Sequence, residues 1–195
     1  MRPNPVRIVG GRHRGRRLLV PPGDAVRPTS DRAREALFNI LSHGDFAAAG
    51  SPFTDENVLD AFAGTGALGI EALSRGAARA AFIETDRTAL AVLRRNLAAL
   101  DETDATEIIA GDATRPPRAP FAAVMAFLDP PYRSGLAPTA LEALATAGWL
   151  APRALAIIEI AAKEPFSPPS GFAMIDERRY GAAKLVFLRR EGGQR

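Results

Sequence analysis

The sequence predicts an α/β fold built on one mostly parallel β-sheet. Apolar runs of strand length alternate with Ala- and Leu-rich stretches of helical spacing along the 195-residue chain. A glycine-rich turn, residues 63–69, joins the first of these runs to a helical stretch, which is the order of a strand, turn and helix unit. Hydrophobic residues make up 47% of the chain, so it can bury one substantial core, and the alternation gives no reason to divide that core.

The N-terminal segment is basic and predicts a small β-hairpin. Residues 1–34 contain nine arginines against two aspartates, an asymmetry that favours a polyanionic partner. Glycines at positions 10, 11 and 15, followed by the apolar run 18–20, favour an ordered hairpin. A solvated charged tail without a partner is the alternative. We therefore assign residues 1–29 to a basic arm and residues 30–195 to the main domain, within one compact unit.

A helix is predicted to follow the arm over residues 31–42. Its apolar residues share one face, which predicts packing on the domain, and this assignment leaves Arg32 and Arg34 accessible. The predicted face consists of Ala33, Leu37, Ile40 and Leu41.

Apolar runs and turn residues define the other elements. In chain order, strands are predicted at 57–62, up to Glu84, at 106–110, 121–128 and 154–160, with an antiparallel pair at 172–175 and 185–188. Helices are predicted after residue 69, over 90–100 and over 136–147. Trp149 is interpreted as a packing anchor.

The segment Asp129-Pro130-Pro131-Tyr132 predicts a nucleobase-binding site. Neither proline can donate to a sheet ladder, so the segment lies at the carboxyl end of the strand 121–128. The Asp129 carboxylate and the Pro130 carbonyl can accept hydrogen bonds from an exocyclic amine. The Tyr132 ring offers a stacking face worth roughly 1–3 kcal/mol per base. A stiff turn that binds nothing is the alternative interpretation.

The glycine turn predicts a cofactor site. Gly64, Gly66 and Gly69 fit the spacing G-x-G-x-x-G, and Glu84 ends the next strand. Glycines let a backbone approach a ligand closely, and the N-terminus of the following helix supplies unpaired N–H groups. The pattern alone also fits a dinucleotide site, in which the acidic residue holds the ribose hydroxyls, or a tight turn without a ligand.

Two aspartates help to separate these cofactor classes. Asp60 lies inside the first strand, shortly before Gly64. An anion at this point repels a pyrophosphate but favours a cofactor with an amino acid moiety and a sulfonium centre, and so favours S-adenosylmethionine. Asp112 follows the third strand, where its carboxylate can accept from an adenine amine. A turn cap is an equal alternative for Asp112.

The composition excludes several kinds of site. The sequence contains no cysteine, which rules out disulfides, thiol nucleophiles and cysteine-based metal sites. His13 is interpreted as an exposed bystander and His43 as a cap at the end of the first helix, so no metal site is expected. The chain shows no signal-peptide pattern and no apolar run long enough to span a membrane, so a cytoplasmic protein is expected.

Taken together, these motifs resemble the class I methyltransferases that act on exocyclic amines. The resemblance is carried by residues 60–76, which read DAFAGTGALGIEALSRG, and by residues 129–132. The N-terminal sequences IVGGR at 8–12, RGR at 14–16 and RPTSDRAREALFNIL at 27–41 narrow it to the bacterial ribosomal RNA guanine-N2 methyltransferases of the small subunit. The resemblance covers nearly the whole chain.

The resemblance implies a Rossmann-like fold with a mostly parallel seven-stranded sheet, an antiparallel C-terminal strand and a basic N-terminal extension. It implies methyl transfer from S-adenosylmethionine to the N2 amine of a guanine in 16S ribosomal RNA, on the RNA or on a partly assembled small subunit. Neither a metal nor an obligate protein partner is expected. The implied catalytic residues are Asp129, Pro130, Pro131 and Tyr132; the cofactor-binding residues are Asp60, Phe62, Ala63, Gly64, Thr65, Gly66, Leu68, Glu84 and Asp112; and the RNA-binding residues are Arg12, Arg14, Arg16, Arg17, Arg27 and Arg32.

Three other functions fit parts of the sequence. An adenine-N6 or cytosine-N4 methyltransferase acting on DNA or RNA would share the cofactor site and residues 129–132. A nicotinamide oxidoreductase would use the glycine turn and Glu84 but would leave residues 129–132 and the basic arm without a role. A non-catalytic RNA-binding module is possible if the pocket is degenerate.

Overall fold

The computed structural model describes residues 6–21, 31–43, 46 and 51–192. Its strands are β1 (Asn57–Ala61), β2 (Arg79–Glu84), β3 (Thr106–Ala110), β4 (Ala123–Leu128), β5 (Leu150–Ala161), β6 (Phe172–Tyr180) and β7 (Ala183–Arg190). Its helices are α1 (Asp31–Leu41), α2 (Ala67–Ser74), α3 (Arg87–Ala99) and α4 (Leu136–Thr146), with a short 3-10 helix at Thr103–Ala105. None of the helices in these ranges has the length and apolarity needed to cross a membrane.

The seven strands form one sheet in the order β3-β2-β1-β4-β5-β7-β6. β1 pairs in parallel with β2 and β4, β2 with β3, and β4 with β5. β7 runs antiparallel to both of its neighbours, β5 and β6. The predicted fold class, a mostly parallel sheet of seven strands with an antiparallel C-terminal strand, is confirmed.

The edge strand β6 is longer than its apolar residues predict. It continues beyond residue 175 through a charged stretch that includes Glu177 and Arg178, and it pairs with β7 as far as Tyr180. Most of its side chains are exposed. Burial therefore imposes no apolar pattern on this strand, and backbone pairing with β7 sets its length instead.

The sheet separates two apolar clusters. Successive side chains of a strand point to opposite faces, so Phe127 packs in the cluster under α1, α2 and α3, whereas Leu128 packs in the cluster under α4. Trp149 belongs to the second cluster and has no exposed surface. Its indole N–H donates to the carbonyl oxygen of Pro117 at 2.8 Å, which confirms the predicted role of Trp149 as a packing anchor.

The basic arm folds back on itself and packs on the domain. Arg7 and Arg17 form an antiparallel bridge, and the N–H of Leu18 donates to the carbonyl oxygen of Val6 at 2.8 Å. Val6, Ile8 and Leu18 are buried. The predicted ordered hairpin is therefore confirmed for the described part of the arm.

Helix α1 confirms the predicted helix, and Leu37 and Leu41 of its predicted apolar face are buried, but this face also buries Arg34. Arg34 is 1% exposed and its guanidinium donates to a backbone carbonyl of the arm, so the prediction that it remains accessible is wrong. Leu37, Phe38 and Leu41 are buried and lie three, four and seven residues after Arg34, which places all four on one helical face. Ile40, also predicted for this face, is partly buried and packs against the same core cluster.

Candidate active site

Four loops meet at the carboxyl edge of the parallel strands. They follow β1, β2, β3 and β4, which are adjacent and point the same way, and open α/β sheets bind ligands at such an edge. The N–H of Gly111 donates to the carbonyl oxygen of Glu84 at 2.9 Å, and that of Asp129 to the carbonyl oxygen of Ala61 at 3.4 Å. The structure thus brings the predicted cofactor-binding and catalytic segments together.

Glycines shape the turn after β1. A Cβ at Gly69 would lie 2.4 Å from the Phe82 ring, so glycine allows α2 to pack closely on β2. Gly64 has φ +54, and a Cβ there would meet none of the described residues within 4 Å, so this side of the turn is open. Phe62 has φ 63, a conformation that costs a residue other than glycine about 1–2 kcal/mol. Strain of this kind clusters at ligand sites.

Buried neighbours hold the turn from behind. The N–H of Ala63 donates to the carbonyl oxygen of Ile83 at 3.0 Å. The Asn96 side chain donates to the carbonyl oxygen of Thr65 at 3.1 Å. Thr65 and Leu68 are both buried, so their side chains support the turn from the core.

Asp60 is a buried carboxyl at the centre of this edge. It is 1% exposed, and its Oδ2 accepts from the N–H of Gly69 at 2.8 Å. Burial raises the pKa of Asp60 well above its ordinary value; the Gly69 hydrogen bond opposes this effect, and the nearby Asp129 and Glu84 carboxyls add to it. A cation bound at this edge favours the charged form of such a group. Asp60 therefore suits a positively charged ligand.

Glu84 and Asp112 both fix backbone turns. Glu84 accepts from the N–H of Gly64 at 2.7 Å through one oxygen and from the N–H of Asp86 at 2.8 Å through the other. It therefore locks the glycine turn to the end of β2. Asp112 accepts from the N–H and the hydroxyl of Thr114, both at 2.8 Å, and these bonds lower the pKa of Asp112. Asp112 is thus a turn cap that remains exposed at the same edge.

Residues 129–132 place a carboxyl and an aromatic ring at the end of β4. Asp129 is half-buried and Pro130 is buried. Tyr132 is 37% exposed, so its ring is accessible to a ligand. Its hydroxyl donates to the Glu159 carboxylate at 3.0 Å, which fixes one end of the ring. A planar group that stacks on Tyr132 would therefore lie close to carboxyl acceptors.

Comparisons with known proteins identify the family. The sequence profile of the family described as conserved hypothetical protein 95 matches residues 6–189. Ribosomal RNA small subunit methyltransferase D of Escherichia coli K12 is 37% identical over 187 residues, covering 95% of this chain and 90% of that protein. The protein of the same name from Haemophilus influenzae is 36% identical over 182 residues, covering 90% and 89%. The chain belongs to the ribosomal RNA small subunit methyltransferase D family.

Solved structures share the fold of this family member. A structure from Escherichia coli, described as that of a methyltransferase, matches with a TM-score of 0.81 at 36% identity and covers 97% of this chain and 100% of its own. A crystal structure of a methylase from Haemophilus influenzae gives a TM-score of 0.75 at 31% identity, covering 96% and 99%. The chain is therefore a methyltransferase with a Rossmann-like fold.

In this methyltransferase the basic arm is attached to α2. Glu71, which has no exposed surface, accepts from the N–H of Val9 at 2.8 Å. Near the end of the helix, Ser74 accepts the N–H of His13 on its hydroxyl at 2.9 Å and the N–H of Arg12 on its carbonyl oxygen at 2.7 Å. Helix α2 therefore connects the glycine turn at its start with the arm at its end.

The predicted RNA-binding arginines of the arm fall into two groups. Arg12 pairs with the buried Glu102, with its Nε at 2.8 Å, while half of its side chain stays exposed. Arg16 donates to a backbone carbonyl at the end of α3 at 2.8 Å. Arg14 and Arg17 are exposed, and their side chains make no hydrogen bond or ion pair with the described residues. Two arginines thus fasten the arm and two point to solvent.

Other sequence predictions have different outcomes. His13 is not an exposed bystander, because its side chain is 16% exposed and its Nε2 contacts the Glu102 carboxylate; that interpretation is wrong. The Nδ1 of His43 lies 2.8 Å from a backbone carbonyl oxygen one turn earlier in α1, as a helix-end role predicts. Arg27 lies outside the described residues, and so does the side chain of Arg32.

Sequence reasoning missed three buried acidic residues that organise this region, namely Glu71, Glu102 and Glu159. Glu71 and Glu159 each stand within an apolar stretch. A buried charge in such a place is rare unless it is paired, so each stretch carried a usable signal. Glu102 carries no local signal, because its partner Arg12 lies 90 residues away in the sequence.

Proposed function

We propose that the protein transfers a methyl group from S-adenosylmethionine to the exocyclic N2 amine of a specific guanine in 16S ribosomal RNA of the small subunit. The substrate class follows from the named function of its relatives, which share most of their length with this chain. The substrate is the RNA itself or a partly assembled small subunit.

One observation carries this proposal. Residues 129–132 lie beside the glycine turn, on one edge of the sheet. These residues offer a carboxylate and an aromatic ring to a base that carries an amine, and the turn suits a positively charged cofactor. Amine methylation needs these two binding sites next to each other, because the nucleophile and the methyl donor must approach in line.

The cofactor residues have complementary roles in this proposal. The open side of Gly64 and the N-terminus of α2 receive the amino acid portion, and Asp60 favours its positive charge. Glu84 holds the ribose and Asp112 the adenine amine. The remaining members of the set support the turn, and they are Phe62, Ala63, Thr65, Gly66 and Leu68.

The catalytic segment orients the amine. Bound S-adenosylmethionine would supply a methyl group on a positively charged sulfur, and its in-line transfer to the amine nitrogen would leave neutral S-adenosylhomocysteine, with one amine proton then lost to water. The Asp129 carboxylate and the Pro130 carbonyl accept the two amine hydrogens, which directs the nitrogen lone pair out of the ring plane. Pro131 stiffens the turn, and Tyr132 stacks on a base that has left its helix. Positioning of the two reactants supplies most of the rate enhancement.

The arm supplies affinity for RNA in this proposal. The proposed RNA-binding set consists of Arg12, Arg14, Arg16, Arg17 and Arg27 of the arm together with Arg32 at the start of α1. Arginine binds phosphate through two parallel hydrogen bonds and stacks on bases, which suits a structured RNA surface. The division of the chain into this arm, residues 1–29, and a methyltransferase domain, residues 30–195, belongs to the same proposal.

An Asp129→Ala variant tests the role of the catalytic segment. We expect methyl transfer to fall about 100-fold or more, since loss of one such orienting or charge-stabilising group costs about that much. S-adenosylmethionine binding, measured by calorimetry, should change little because Asp129 contacts the amine and not the cofactor. Asp104→Ala, an exposed aspartate in the 3-10 helix, is the matched control. Unchanged turnover in Asp129→Ala would contradict the assignment.

A further inference from the structure

Glu159 lies beside Asp129 at the carboxyl edge of the sheet. β4 and β5 are parallel, with Phe127 opposite Ile157 and Leu128 opposite Ile158. The same register places the next residues, Asp129 and Glu159, side by side on chains about 4.8 Å apart. By the alternation of side chains, both fall on the sheet face that carries Phe127.

The hydroxyl of Tyr132 connects Glu159 to the proposed base-binding segment. It donates to Oε1 of Glu159 at 3.0 Å. The hydroxyl of the ring that would stack on the base is therefore hydrogen-bonded to this carboxylate. Glu159 is 7% exposed, and a carboxylate has about four acceptor positions, so it can accept from the tyrosine and from a ligand together.

Two neighbouring carboxyl groups match one nucleobase in particular. Guanine presents two adjacent donors on its pairing edge, the N1–H and the N2 amine. Adenine and cytosine present a ring nitrogen acceptor next to their amine, and an acceptor facing a carboxylate is unfavourable. A single carboxyl opposite the amine does not distinguish these bases, whereas a second carboxyl opposite N1 does.

We propose that Glu159 accepts the N1–H of the target guanine while Asp129 accepts its N2 amine, which makes Glu159 a specificity-determining residue. This inference rests on the proposed function, because it assumes that the base stacks on Tyr132. It gives the site a reason to reject adenine and cytosine that residues 129–132 alone do not supply.

The test uses 2-aminopurine, which retains the exocyclic amine but lacks the O6 oxygen of guanine and carries a lone pair at N1 in place of the hydrogen. The nucleotide that the wild-type enzyme methylates is replaced by 2-aminopurine in otherwise identical RNA. The wild-type enzyme should prefer guanine by about 10- to 100-fold in kcat/KM, the usual range for one hydrogen bond to a charged group. In Glu159→Gln, whose amide can donate as well as accept, that preference should fall by about tenfold or more.

Tyr132→Phe separates recognition of N1 from simple support of the tyrosine ring. It removes the hydroxyl bonded to Glu159 but keeps the ring and the carboxylate. If Glu159 acts only by holding Tyr132, both variants should slow guanine and 2-aminopurine alike and leave the ratio unchanged. We expect the ratio to change in Glu159→Gln and to stay near the wild-type value in Tyr132→Phe.

The wild-type measurement can overturn the inference even if Glu159→Gln does not fold, which S-adenosylmethionine binding would reveal. Equal wild-type rates on guanine and 2-aminopurine would overturn the inference and leave the proposed function standing. Absence of N2-methylguanosine from unsubstituted RNA would overturn both.

Discussion

Replacing Gly11 by alanine should detach the basic arm from α2. Gly11 has φ +75, and a Cβ there would lie 1.8 Å from the carbonyl oxygen of Ser74. The same carbonyl accepts the N–H of Arg12 at 2.7 Å, and the Ser74 hydroxyl accepts the N–H of His13 at 2.9 Å. The added methyl group therefore enters the place where the arm is fastened.

The loss of docking free energy follows from the clash and from the two hydrogen bonds. Cβ contacts under 3.0 Å essentially never occur, so the arm must shift by roughly an ångström or more, which breaks both bonds. Each bond is worth about 0.5–1.5 kcal/mol. The left-handed conformation costs alanine a further 1–2 kcal/mol or so. Docking of the arm should therefore weaken by about 2–5 kcal/mol in total.

Gly15→Ala is the matched control. Gly15 has φ +84, but a Cβ there would meet none of the described residues within 4 Å, so it carries the conformational cost without the clash. Native-state hydrogen exchange at the amides of Arg12 and His13 should lose about 5- to 150-fold more protection in Gly11→Ala than in Gly15→Ala, the equivalent of 1–3 kcal/mol. RNA affinity should also fall more in Gly11→Ala than in Gly15→Ala, while S-adenosylmethionine binding changes less. Equal protection in the two variants would refute this account of the arm.

Two further predictions concern charge. Asp60 has a raised pKa, so its contribution to stability is present below the ordinary carboxyl pKa of about 3.9 and is lost as pH rises through the raised value. Asparagine does not titrate, so in Asp60→Asn chemical denaturation across a pH series should show a smaller loss of stability between pH 3.9 or so and neutral pH. Calorimetry should show weaker S-adenosylmethionine binding. A pH profile of stability equal to that of the wild type would contradict the raised pKa of Asp60. Replacing both Arg14 and Arg17 by alanine should weaken RNA binding. If each arginine contacts one phosphate, the slope of log affinity against log salt concentration should become shallower by about 1.4–1.8. The control is the same double replacement at Arg178 and Arg179 on β6, which should leave the slope near that of the wild type.

The sequence predicted the elements whose burial leaves a local pattern. The interior strands of the sheet are apolar runs, and the glycine turn is recognisable from the spacing of its glycines. Asp60, Glu84, Asp112 and Asp129 each lie at or near the end of such a run, so they were predicted to share one edge of the sheet. The alternation of strands and helices predicts that the interior strands are parallel, so the loops that follow them share one edge of the sheet. The order of the strands comes from the structure. The candidate site was therefore accessible from the sequence.

Features that depend on tertiary contact were not accessible in the same way. Arg34 was assigned to solvent because it is charged, yet the position of its helix buries it against the arm. Glu102 has its partner far away in the sequence. Glu159 is one acid in an apolar strand, and only the register between β4 and β5 shows that it adjoins Asp129. These roles depend on which segments of the chain are neighbours in the fold, and the local sequence does not contain that information.

The most direct test of the proposed activity is transfer of a labelled methyl group from S-adenosylmethionine to protein-free 16S ribosomal RNA and to partly assembled small subunits, followed by mass analysis of the nucleosides. We expect label in N2-methylguanosine, at a single position, in at least one of the two substrates. Label in methylated adenosine or cytidine, or no label in either substrate, would contradict it.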